Sequence, residues 1–118
     1  MGSSKHLRRF DATIARLERR VDRTLEQCRR FEEMAEVLQV WADHWTTETL
    51  ERWLYLDDIS REEREKALVA LALQATNRAG RVIAEYDPGP RGSDHQTFHQ
   101  VARIEWEQRQ QVRGRRLA

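Results

Sequence analysis

His95 and His99 stand four residues apart where a helix is expected to begin, so both rings fall on one face and Asp94 or His44 would be a further ligand for a metal between them. A zinc site needs more donors than this spacing supplies, so the pair reads as solvated or capping histidines and no metal is expected. Neither H-E-x-x-H nor E-x-x-H occurs, which removes the metalloprotease and di-iron bundle patterns. The paired carboxylates Glu32-Glu33 and Asp57-Asp58 adjoin in sequence, which sends their side chains to different sides of a helix. There is no glycine-rich phosphate loop and no nucleophile elbow. Cys28 is the only cysteine, so an intrachain disulfide and a cysteine-rich zinc site are both excluded. The expectation is a protein without enzymatic activity and without a cofactor.

Two residue classes suit binding better than catalysis. Arg8, Arg9, Arg16, Arg113, Arg115 and Arg116, at the two ends of the chain, are candidates to grip nucleic-acid phosphates, with Arg19, Arg20, Arg23, Arg29 and Arg30 adding to the first of these segments. Acid is interleaved with them, and the isoelectric point near 8.0 is below the roughly 9 of a nucleic-acid domain. A dimeric regulator that contacts nucleic acid is therefore the second reading. Trp41, Trp45 and Trp53, with Tyr55 near them, fill a core or dock a partner's helix, each removing roughly 150 to 250 Å² from water when buried.

The elements that position these residues follow from pattern. Ala, Glu, Lys, Leu and Arg make up 57 of 118 residues, close to the half share typical of long helices. Between Gly2 and Gly80 there is neither glycine nor proline. From Leu7 a seven-residue apolar repeat runs through Phe10, Ile14, Leu17, Val21, Cys28, Phe31, Ala35, Leu38, Ala42 and Trp45, broken only at Thr24. This predicts a long heptad helix over 1–46. Up to Thr24 the apolar stripe is narrow and suits one partner helix, so the first half should project; Leu7, Phe10, Ile14, Leu17, Val21, Cys28 and Phe31 are the self-association candidates. Beyond it Leu25, Met34, Val37, Val40 and Trp41 widen the apolar arc, as in a bundle.

Bundle helices are expected within 47–112. Thr46-Thr47 either caps a short helix carrying Leu50, Trp53, Leu54 and Leu56 or continues the first. Ser60 and Glu63 make a capping box that opens a helix running to Tyr86, with Gly80 inside it permitting close helix contact. Asp87-Pro88-Gly89-Pro90-Arg91-Gly92 is a loop, Ser93 with Gln96 has capping-box spacing for a last helix, and 113–118 reads as a frayed basic tail.

Charge is unevenly spread. Residues 5–30 hold nine basic and four acidic side chains, 31–66 four and eleven, 67–118 eight and five. A basic arm beside an acidic middle favours antiparallel contact between copies. The hydrophobic share of 39% is low for a self-contained core, so a second copy should supply buried surface. No run approaches the roughly 18 apolar residues of a membrane span and the start lacks a secretory stretch, which predicts a cytoplasmic protein. Nineteen arginines against two lysines match a GC-rich bacterial genome. Together these features predict an all-α single domain: a coiled-coil-like N-terminal helix joined to a small bundle, acting as a homodimer or larger assembly that engages an unknown protein partner as an adaptor, chaperone or assembly factor.

Overall fold

The structure, a computed structural model, describes the backbone of residues 2–117 and the side chains of residues 10–114. Among them it contains five helices and no strand: α1 Gly2–His44, α2 Thr47–Leu54, α3 Arg61–Gln74, α4 Asn77–Glu85 and α5 Ser93–Leu117. The all-α architecture with a long first helix packed on others matches the expectation from sequence. At 43 residues α1 is about 65 Å long by the 1.5 Å rise, and the longest dimension of the molecule is 64 Å. The radius of gyration, 17.6 Å, exceeds the about 13.5 Å of a compact chain of this length, because one end of α1 projects from the rest.

The body is organised around α3, which packs against all four other helices. Its residues Ala67–Ala72 are fully buried on every side, as their uninterrupted apolar run predicts. Phe31 and Leu38 of α1, Leu50 and Leu54 of α2, Ala79, Val82 and Ile83 of α4, and Phe98, Val101 and Ala102 of α5 close the core around it.

Local chemistry sets the element ends. α1 stops at His44 and a new helix begins, because Thr46 Oγ1 accepts from Thr49 N at 3.1 Å while Gln74 donates to the terminal carbonyls of Ala42 and Trp45 at 3.2 and 2.8 Å. Ser60 Oγ accepts from Glu63 N at 3.1 Å, so the predicted capping residue opens α3. Arg64, itself buried, donates to the Leu54 and Leu56 carbonyls and closes the end of α2.

The helix expected over 60–86 is two helices. Ala75 adopts a left-handed conformation, φ 54° and ψ 29°, and Thr76 Oγ1 caps α4 by accepting from Ala79 N. An alanine there costs roughly 1–2 kcal/mol. The break survives because the freed carbonyls are claimed from α5: Trp106 Nε1 donates to Thr76 O at 2.7 Å and Arg113 to Gln74 O at 3.1 Å. Gly80 lies inside α4 as predicted, and a Cβ on it would come within 2.1–2.6 Å of the Trp106 ring. The Ser93–Gln96 capping box does not form. Ser93 is itself the first helical residue, and the Gln96 amide donates back to Gly89 O at 3.2 Å, tying down the loop. α5 continues past the expected end at 112 to Leu117.

Candidate interaction site

A seven-residue repeat on a helix of 3.6 residues per turn drifts by about 20° per heptad unless the helix supercoils around a partner. Between Phe10 and Leu38, four heptads apart, the stripe therefore turns by about 80°. Where it faces α3 and α5, in the second half of α1, it is covered; in the first half it has rotated away from the body. The consequence is visible in exposure. Every described residue from Phe10 to Glu26 is exposed, and Phe10, Ile14, Leu17 and Val21 are 63%, 37%, 54% and 56% accessible. Leu25, assigned by sequence to the bundle-facing arc, belongs with them at 62%. It stands in for Thr24, whose hydroxyl donates to Arg20 O instead.

Two of the self-association candidates turn inward. Phe31 is fully buried, its ring centroid 6.2 Å from that of Phe98, with the Arg109 guanidinium over the Phe31 ring at 5.7 Å. It is a core residue of its own chain and not part of the exposed edge. Cys28 is half-buried against the same core; burial, then the nearby Glu105 and Glu32 carboxylates, push its thiol above its ordinary value. Leu7 falls outside the described side chains.

The tryptophans divide in the same way. Trp41 and Trp53 are half-buried against the core with rings 5.6 Å apart, while Trp45, 39% exposed, edges onto Trp53 at 6.4 Å. They pack mainly on one another. The wider apolar arc is only partly covered: Met34 joins the core edge, whereas Val37 and Val40 stay about seven-tenths exposed (71% and 70%).

The histidines are not the solvated or capping residues expected from sequence, because both turn into the body and bond there. His95 is fully buried: its Nδ1–H donates to Glu65 Oε2 at 3.1 Å, and its Nε2 shares a hydrogen bond of 2.7 Å with the Tyr86 hydroxyl. His99 donates Nε2–H to Ile83 O at 2.6 Å, and burial holds its ring below the ordinary histidine value. Asp94 pairs with Arg23 at 3.7 Å, and His44 stacks edge-on with Trp45. Among the described residues no group of three potential ligands converges.

Sequence reasoning missed Glu65. Its place just after the Ser60 cap, near the helix start where a carboxylate favours the dipole, gives no hint of burial. In the structure it is a fully buried charge at the junction of three helices, accepting from Arg30 Nη2 at 2.6 Å and from His95, with Arg61 at 3.7 Å. Burial alone would raise its carboxyl; the bonds from His95 and Arg30 and the two guanidinium charges outweigh it and hold it below its ordinary value. The available signal was register: Glu65 shares the buried face with Leu68 and Ala72, three and seven residues on.

The arginine candidates do not gather at one place. Arg16 lies beside the start of α5, whereas Arg113 lies near Gln74, on the order of 25 Å away along α5 by its rise per residue. Arg8, Arg9, Arg115 and Arg116 fall outside the described side chains. No helix among the described residues is long and apolar enough to cross a membrane.

No protein-family model, curated protein or solved structure matches this chain.

Proposed function

We propose that this chain is a non-enzymatic helical interaction module, of the adaptor, chaperone or assembly-factor kind, that acts as a homo-oligomer through the projecting half of α1. The observation that carries this reading is the apolar edge Phe10, Ile14, Leu17, Val21 and Leu25, exposed along an arm that the rest of the chain does not cover. Each is about half accessible, so covering it is worth about 1 kcal/mol, or on the order of 10 kcal/mol for two arms together, before the costs of association. A second copy suits the edge electrostatically. Residues 10–26 carry four arginines and four carboxylates, so two such arms meet without net repulsion. The buried polar side chains of the body, Glu65 and Tyr86, are both bonded to His95 in its interior, which supports a structural role for the three.

The nucleic-acid alternative has less support, since Arg16 and Arg113, the described candidates from its two arginine-rich segments, lie far apart. Light scattering coupled to size-exclusion chromatography tests the favoured reading. At micromolar concentration the mass should be at least twice 14.1 kDa, and Leu17→Asp with Val21→Asp should return it to a single chain of unchanged helicity. A 14.1 kDa species for the unaltered protein would overturn the proposal.

A further inference from the structure

The side of the arm that continues the body-facing surface of α1 is not apolar but cationic. Arg16, Arg19, Arg20 and Arg23 recur at i, i+3, i+4 and i+7, and all four line a groove of about 550 Å³ between the arm and the start of α5. Facing them are Ser93, Gln96 and Thr97, whose hydroxyl and amide groups can donate hydrogen bonds. Among the described residues lining this groove none is acidic. The carboxylate at its margin, Asp94, is half-exposed and turned to Arg23.

This arrangement runs against the local rule for a solvated helix. Charged helices gain about 0.2–0.5 kcal/mol from each opposite pair at i,i+3 or i,i+4 and lose a similar amount from each like pair. Within the set every such pair is arginine on arginine. The acids of the same stretch, Asp11, Glu18, Asp22 and Glu26, centre about 115° around the helix at about 100° per residue, and only Asp22 and Glu26 meet the set, at i,i+3 from Arg19 and Arg23, against the arginine pairs within it. Charge has thus been segregated toward a concave surface at a cost in helix stability, which a bound polyanion would offset.

We propose that the groove binds a short oligophosphate, free or as the phosphate chain of a nucleotide. Arg16 and Arg23 are about 10 Å apart along the axis, too far to converge on one tetrahedral anion but matched to a chain of several phosphoryl groups. The groove falls within the roughly 300–1,000 Å³ range of small-ligand sites, and its second wall is a helix, a shape that favours a compact ligand over a duplex. The apolar edge lies about 150° around the helix from the arginines, so a pair of arms leaves both grooves open.

Calorimetric titration of the full chain with inorganic tripolyphosphate, and separately with ATP, tests the assignment and distinguishes the free from the nucleotide-borne source. Saturable binding is expected, at least tenfold tighter than for inorganic phosphate. Arg16→Gln with Arg20→Gln should weaken it at least tenfold while leaving circular dichroism and mass unchanged, and Leu17→Asp with Val21→Asp should leave it intact. Absence of binding, equal affinity for inorganic phosphate, or tighter binding to a short duplex DNA than to either oligophosphate would overturn it.

Discussion

One helix, α1, passes through two different environments. From Gln27 onward it is part of a body whose core includes Phe31 and Leu38 and whose centre contains a buried carboxylate held by Arg30. Before Gln27 the same helix offers leucine, isoleucine, valine and phenylalanine to solvent. The seven-residue repeat runs through both halves, although the apolar arc beside it widens after Thr24. What changes is its direction, because a seven-residue repeat drifts around an unsupercoiled helix and leaves the body's reach. A partner arm would restore the supercoil and bring the edge back into an interface.

Perturbing the body should therefore cost stability, and perturbing the arm should cost association. The largest loss is expected from Glu65→Ala, which leaves Arg30 and His95 without their buried acceptor; removing one member of such a cluster costs about 3–5 kcal/mol. Urea denaturation of the self-association-deficient double variant, with and without this change, measures it free of coupling to assembly. Gly80→Ala comes next. Its Cβ meets the Trp106 ring, an anchored side chain that donates to Thr76 O, and overpacking of this kind costs about 1–3 kcal/mol. A compensating Trp106→Phe in the same background should recover part of the loss, since it shortens the obstructing ring.

Acid should act on the body in two steps. His99 has a depressed value in the folded state through burial, so as pH falls through its ordinary 6.5 the unfolded chain takes up a proton first and stability declines until the folded value is reached. Glu65 is also depressed, so its contribution is present above the ordinary carboxylate value of 4.5 and is lost at still lower pH. Melting temperatures from pH 8 to 4 should show the first step, and His99→Asn should flatten it. The smallest effect on folding belongs to the arm: Leu17→Asp with Val21→Asp should shift body stability by no more than about 0.5 kcal/mol per site while dissociating the oligomer.

How much of this was legible in the sequence depended on whether the cause was local. The Ser60 cap, the Asp87–Gly92 loop and the placement of Gly80 inside a helix follow from residues within a turn of one another, and each appears as expected. The break at Ala75 contains no glycine or proline. It depends on Thr76 as a cap and on Trp106 and Arg113, roughly thirty to forty residues later, to satisfy its carbonyls, a cooperation that propensity cannot register. Glu65 follows Glu62 and Glu63 near the start of α3, where acidic residues are locally favoured, and this concealed its long-range partners Arg30 and His95. Cys28 and Phe31 resume the heptad after Thr24 with the same spacing, so the point where the stripe turns from solvent to core depends on helix geometry and the position of α5.

Hydrogen exchange of the residue 10–26 amides, followed by mass spectrometry across a protein dilution series, examines the central claim most directly. The account predicts slow exchange in the arm at tens of micromolar that becomes fast on dilution, while α3 stays protected throughout. Arm amides that exchange at one concentration-independent rate, whether fast or slow, would contradict it.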